Sequence, residues 1–155
     1  MKNIEYEYRN LPIPGGGYVT GFLFDQDREK VLYIRTDIGG CYRFSYENRH
    51  WDSLSESVNM FDLSETYPIA IATDLQQDET LYVISGINKE GTEGTFSISH
   101  DGGKTYTREM IPCFVHGNLN GRGTGYRLVQ NPKDKTTLYF ASQKDGLLWT
   151  GDHGK

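Results

Sequence analysis

The chain has 155 residues, with 16 Lys and Arg against 21 Asp and Glu and a formal net charge of −5. Its basic residues are scattered, so a nucleic-acid-binding surface, which needs concentrated positive charge, is not expected. No window is apolar enough to cross a bilayer, so no membrane partner is expected. The 11 Tyr, 7 Phe, 2 Trp and 18 Gly residues are typical of short aromatic strands and tight turns, and they predict an all-β protein.

The first nine residues alternate Ile4, Tyr6 and Tyr8 with polar neighbours, which predicts a β-strand. This stretch lacks the apolar run of a secretory signal peptide. The sequence therefore leaves the cellular compartment unassigned.

A pattern of strand, polar turn and strand then occurs three times, over residues 21–34, 71–84 and 127–140. Each segment contains a Leu-Tyr pair, and successive pairs are 49 and 57 residues apart. A third strand is predicted after every segment, and a fourth after the first two. Four antiparallel strands in a repeat of this length match one blade of a β-propeller.

The sequence therefore predicts that residues 1–155 form an N-terminal partial β-propeller. Its blades are expected at about residues 15–60, 66–112 and 122–155. A β-sandwich is the alternative fold, because short strands at regular spacing suit that architecture as well.

Two Asp-box turns favour the propeller. One covers residues 99–106, the second begins within residues 150–155, and their aspartates, Asp101 and Asp152, are 51 positions apart. Short Asp and Ser side chains accept hydrogen bonds from the N–H groups of a tight turn, so we expect a structural staple rather than a ligand site. A propeller of four or more blades needs at least about 200 residues, so the chain is predicted to be part of a larger protein.

The sequence predicts no metal site and no cofactor. The four histidines lack the paired spacing of metal ligands; they are His50, His100, His116 and His153. Two cysteines are too few for a disulfide framework, so Cys41 and Cys113 are predicted to be buried and free, with a single bridge as the alternative.

Loops on a rigid scaffold carry function, and three glycine-rich loops stand out, at residues 14–18, 37–40 and 116–126. Asp37 follows a buried-looking strand and precedes a pair of glycines. From the residues alone, a turn-forming role and a catalytic role for Asp37 both stay open.

Two stretches resemble a known group of glycoside hydrolases. Residues 15–43, with Arg-Thr-Asp-Ile-Gly-Gly at positions 35–40, and residues 117–128, with Gly-Arg-Gly-Thr-Gly-Tyr-Arg-Leu at positions 121–128, carry the resemblance. They resemble xyloglucan-specific endo-glucanases and oligoxyloglucan reducing-end-specific cellobiohydrolases. The resemblance implies two seven-bladed propellers, of which this chain supplies about three blades of an incomplete one. It also implies inverting hydrolysis of a β-1,4-glucan, xyloglucan above all.

In that family the aspartate of the Arg-Thr-Asp-Ile-Gly-Gly stretch is the catalytic base, which the resemblance places at Asp37. The family's general acid lies in the second propeller. The resemblance thus implies that the chain works with a missing C-terminal propeller and is inactive alone. Members of the family act outside cells, and their substrates are polysaccharides or oligosaccharides.

The glycine-rich loops also contain candidate sugar-binding residues. Sugar rings stack on aromatic faces, and their hydroxyls pair with planar polar groups. The candidates of this kind are Tyr18, Asn118, Asn120, Arg122 and Tyr126, the last of which stands where the family usually has Glu. The alternative function is that of a non-catalytic Asp-box propeller with sialidase-like repeats, which binds glycans or proteins.

Overall fold

The computed structural model describes residues 5–25, 28, 31–57, 63–87 and 93–155. Within these ranges the chain forms eleven β-strands and one short 3₁₀ helix, Leu63–Thr66, and no α-helix. The strands are β1 (Val19–Phe24), β2 (Val31–Thr36), β3 (Cys41–Ser45), β4 (His50–Ser53), β5 (Pro68–Thr73), β6 (Leu81–Ser85), β7 (Gly94–Ser99), β8 (Thr107–Ile111), β9 (Leu128–Gln130), β10 (Leu138–Ala141) and β11 (Leu147–Thr150).

The strands form three antiparallel sheets in chain order. The first contains β1–β4, the second β5–β8 and the third β9–β11, and within each sheet sequence neighbours are paired. The first strand of the second sheet contacts β1, β2 and β9, so the leading strands of the three sheets meet along one side. The all-β fold of four-stranded antiparallel sheets is thus confirmed, whereas the residue bounds of the blades remain a prediction.

The predicted repeat is visible in the hairpins that open each sheet. In every hairpin the residue after the first strand donates its backbone N–H to a carbonyl six residues later. The three bonds are Asp25 to Val31 at 3.1 Å, Asp74 to Thr80 at 3.0 Å and Asn131 to Thr137 at 2.9 Å. Asp25 and Asp74 also accept turn N–H groups on their side chains, so short polar residues close these turns for local reasons.

Apolar side chains fill both junctions between sheets. The first junction buries Tyr33, Cys41 and Leu54 against residues of the second sheet. The second buries Cys113 among side chains of the second and third sheets. Both cysteines are free, as the leading interpretation predicted, and burial raises the thiol pKa of Cys41 to about 12 and that of Cys113 to about 11.

The N-terminal segment does not form the predicted strand. Residues 5–10 have no strand partner, and Tyr6 and Tyr8 are exposed, while residues 1–4 lie outside the described part of the chain. Leu11 and Ile13 instead pack on the outer face of the first sheet. An alternating pattern forms a strand only where a neighbouring edge accepts its hydrogen bonds, and residues 5–10 pair with no edge in the described part of the chain.

The turn between β7 and β8 has the hydrogen bonds of a structural staple. The Asp101 carboxylate accepts from the Thr105 hydroxyl at 2.6 Å and from the backbone N–H groups of Lys104 and Thr105. The Ser99 hydroxyl donates to the same carboxylate and accepts the N–H of Gly103 at 2.8 Å. The turn after β11 repeats this arrangement with Thr150 and Asp152. Both carboxylates therefore accept hydrogen bonds from groups of their own turn.

We expect Asp101→Asn to lower the stability of the protein near neutral pH. The Thr105 side chain, the Thr105 backbone and the Ser99 hydroxyl together lower the pKa of the Asp101 carboxyl to about 2, from an ordinary value of 3.8. The contribution of the carboxylate to the free energy of unfolding is therefore complete above about pH 4, and it is lost as the pH falls through the folded-state pKa of Asp101. Urea unfolding followed by tryptophan fluorescence, with wild type and variant compared at several pH values, measures this contribution. A wild-type advantage that stayed constant down to about pH 2 would contradict this account.

Candidate active site at the Asp37 turn

The turn between β2 and β3 is closed by Thr36, not by Asp37. The buried Thr36 hydroxyl accepts the N–H of Gly39 at 2.8 Å and donates to the Gly40 carbonyl at 3.0 Å. The Thr36 N–H donates to the same carbonyl. The threonine thus performs the turn-forming role that the sequence left open for the aspartate.

The Asp37 carboxylate points away from its own turn toward two other segments. Its Oδ1 accepts the backbone N–H of Tyr18 at 2.8 Å, and the Asp37 N–H donates back to the Tyr18 carbonyl at 3.0 Å. Its Oδ2 lies 3.5 Å from Nε of Arg122 as an ion pair, without a hydrogen bond between them. The side chain is 11% exposed. One oxygen is therefore fixed by the backbone, while the other keeps lone pairs able to accept a proton.

Glycines allow the Asp37 turn to lie directly against the loop before β1. A Cβ added to Gly39 would come within 2.1 Å of the Gly16 carbonyl oxygen. Gly17 has a φ of +104°, which favours glycine, and a Cβ there would stand 3.1 Å from Oδ1 of Asp37. The glycine-rich pattern of both loops is thus explained by a close approach of backbone to backbone.

Arg122 reaches this turn from the loop that precedes β9. At its base, the loop is held where Gly117 donates to the Gly86 carbonyl at 2.9 Å. Near its end, the Arg127 guanidinium donates to the Gly121 carbonyl and to the Thr124 hydroxyl. These bonds give the loop a defined shape.

The structure brings three of the six predicted site residues into contact: Tyr18, Asp37 and Arg122. The Arg122 guanidinium carbon also lies 5.8 Å from the centre of the exposed Tyr18 ring, within cation–π range. Tyr126 is exposed and lines, with Tyr18, a cavity of about 350 Å³ beside β1. Asp37 and Arg122 lie outside the lining of that cavity. Asn118 and Asn120 are exposed on the Arg122 loop and also lie outside it.

Within the described ranges, no three His, Cys, Asp or Glu side chains are grouped closely enough to hold a metal ion. In the same ranges, no helix has the length and apolar character needed to span a membrane.

No role for Arg35 is predicted from the sequence. This arginine is 3% exposed, and its guanidinium donates to the carbonyls of Arg122 at 2.7 Å and Gly125 at 3.1 Å. It thus joins β2 to the loop that carries four of the predicted site residues. One signal was present in the sequence, because an arginine interrupts the otherwise apolar run before Thr36.

The structure thus combines repeated antiparallel sheets with polar contacts between their connections and a carboxylate at an inter-strand turn. Comparison with known proteins finds that the chain is similar to several xyloglucanases. It is 34% identical over 154 residues to a xyloglucanase from Paenibacillus sp, and 30% identical over 150 residues to the oligoxyloglucan-reducing end-specific xyloglucanase of Emericella nidulans. These alignments cover 96% and 97% of the chain.

Two solved structures are similar to nearly the whole of this chain. The GH74 xyloglucanase from Xanthomonas campestris matches 97% of the chain with a TM-score of 0.82 and 32% identity. The GH74 enzyme of Niastella koreensis matches 94% with a TM-score of 0.81 and 29% identity. No protein-family profile matches the chain. The resemblance drawn from the sequence is confirmed.

The chain spans only a small part of these relatives. It covers 15% of the Paenibacillus enzyme, 18% of the Emericella enzyme and 22% of each solved structure. An activity of the relatives therefore belongs to a protein several times longer than the sequence described here.

We expect Gly39→Ala to destabilise the protein by about 1–3 kcal/mol, because its methyl group would collide with the Gly16 carbonyl. Gly16→Ala is the matched control from the facing loop, since a Cβ there meets nothing within 4 Å, and it should change stability by less than about 0.5 kcal/mol. Thermal unfolding of both variants tests the contact. Equal effects at the two glycines would rule out the close approach as the reason for Gly39.

Proposed function

We propose that the chain is part of an inverting glycoside hydrolase that cleaves xyloglucan, and that Asp37 is its general base. Support comes from the likeness to xyloglucanases over nearly the whole chain. The observation that carries the catalytic role is the carboxylate of Asp37, which is held by Tyr18 and Arg122 instead of closing its own turn.

The internal repeat supports this role. When the blades are aligned on their Leu-Tyr pairs, Asp37 corresponds to Gly86 in the second blade and Gln143 in the third. The second and third sheets therefore form without a carboxylate at this position. An acid that the architecture does not need, and whose Oδ2 keeps free lone pairs, is a good candidate for chemistry.

In an inverting mechanism, one carboxylate removes a proton from water while a carboxylic acid across the sugar protonates the departing glycosidic oxygen. Asp37 has the geometry for the first task, because the Tyr18 N–H fixes its orientation through Oδ1 and leaves Oδ2 for the water proton. The second group is expected about 6.5–9.5 Å away, from a part of the protein beyond this chain. The chain alone is then inactive.

Tyr18, Asn118, Asn120, Arg122 and Tyr126 are proposed to bind the glucan. Two exposed aromatic residues line the same cavity, Tyr18 and Tyr126, and their rings suit stacking on sugar faces. The exposed amides of Asn118 and Asn120 offer a donor and an acceptor each to hydroxyls. The Arg122 guanidinium contacts both the Tyr18 ring and the Asp37 carboxylate.

We expect Asp37→Asn, made in the complete enzyme, to lower kcat on xyloglucan by about 10²–10⁴-fold, because an amide cannot accept the water proton. Initial rates on xyloglucan and on an unsubstituted β-1,4-glucan measure the loss and the substrate preference. Inversion predicts that the first product released is the α-anomer, which proton NMR resolves.

Asp52→Asn is the control, since Asp52 lies on the same sheet but pairs with Arg43 away from the site. It should keep wild-type activity. If Asp37→Asn retained full activity, the catalytic assignment would be wrong. If the wild-type enzyme bound xyloglucan without cleaving it, the non-catalytic glycan-binding alternative would hold instead.

A further inference from the structure

Arg35 is a buried cation whose hydrogen bonds lead toward the candidate site. Its Nη1 donates to the Thr20 hydroxyl and to the Arg122 carbonyl, both at 2.7 Å, and its Nη2 donates to the Gly125 carbonyl at 3.1 Å. All three acceptors are neutral. Two of them belong to a loop that lies nearly ninety residues further along the chain.

The other two blades provide an internal comparison. The residue aligned with Arg35 is the buried Ile84 in the second blade and Ala141 in the third. The cross-strand neighbour changes in parallel, because Gly21 faces Arg35 whereas Ala70 faces Ile84. A Cβ on Gly21 would come within 2.9 Å of the Arg35 guanidinium. Glycine at position 21 of β1 therefore leaves the space that the Arg35 guanidinium occupies.

This exchange has a physical cost. Moving a guanidinium out of water is unfavourable unless hydrogen bonds replace its hydration, and the pKa of Arg35 lies below its ordinary value because burial disfavours the charged form. An apolar residue, as in the second blade, would pack a sheet without that cost. What the arginine supplies in place of apolar packing is its hydrogen bonds to the loop backbone at Arg122 and Gly125.

We infer that Arg35 is a positioning residue, which holds the Arg122 carbonyl so that the Arg122 guanidinium stays beside the Asp37 carboxylate. The connection runs from the β2 guanidinium to the Arg122 backbone, and from the Arg122 side chain to Oδ2 of Asp37 at 3.5 Å. Arg35 does not touch substrate and acts through Arg122. The inference rests on the proposed function, because it assigns to Arg35 the alignment of the proposed base.

A double-mutant cycle in the complete enzyme tests this connection. Arg35→Gln should lower kcat/KM on xyloglucan by about 10- to 100-fold at a temperature well below the unfolding midpoint. In an Arg122→Ala background the same change should lower kcat/KM by less than about twofold, because the side chain through which Arg35 acts is already gone. Thr20→Val is a second variant with a smaller expected loss of kcat/KM, since it removes one of the three acceptors of Arg35 with little change in side-chain shape.

Arg43→Gln is the matched control. Arg43 lies on β3 of the same sheet and pairs with Asp52 and Glu79, so its loss should lower the unfolding midpoint and leave kcat/KM within about twofold. Arg35→Gln would behave in the same way if its role were structural only, and that result would overturn the inference. Equal losses from Arg35→Gln with and without Arg122 would overturn it as well.

Asp37→Asn belongs in the same series, because it separates the two proposals. An inactive Asp37→Asn together with a fully active Arg35→Gln would refute the positioning role and leave the proposed function standing. A fully active Asp37→Asn would refute the proposed function itself.

Discussion

The middle sheet can exist in water only if both of its faces are covered, and the arrangement of the whole chain follows from this requirement. Every residue of β5, β6 and β7 is buried. Apolar side chains of the first sheet cover one face and those of the third sheet the other. Because buried apolar area contributes about 25 cal/mol per Å², covering both faces of the middle sheet stabilises its contacts with the flanking sheets. The leading strands of the three sheets meet along one side.

The candidate site takes its residues from the connections of more than one sheet. Tyr18 and Asp37 lie next to strands β1 and β2 of the first sheet, whereas Arg122 comes from the loop before the third. The repeated hairpins and staples account for the scaffold, and the candidate chemistry lies where the first blade departs from the repeat. Arg35 and Asp37 replace Ile84 and Gly86 of the second blade, so two polar residues stand where repetition would place an aliphatic side chain and a glycine.

Features that depend on local chemistry were predictable from the sequence. The hairpin repeat and the Asp101 staple follow from neighbouring residues. The buried, free state of both cysteines follows from their small number and from how often a free cysteine is buried. The N-terminal strand was wrong because a pattern does not reveal whether a partner edge exists. The contact of Arg35 with Arg122 could not be predicted, since it joins residues 87 positions apart through a backbone carbonyl. The roles of Asp37 and the five sugar-binding candidates remain predictions.

The two junctions between sheets differ in how exposed their polar contacts are. At the first, Arg28 and Arg43 pair with Glu79, whose side chain is 46% exposed. At the second, the Gln130 amide donates at 2.8 Å to Asp74, whose side chain is fully buried. Dissolved ions screen partly exposed ion pairs more strongly than a buried hydrogen bond. Raising the ionic strength is therefore expected to weaken the Glu79 pairs of the first junction and to leave the Gln130–Asp74 bond of the second nearly unchanged.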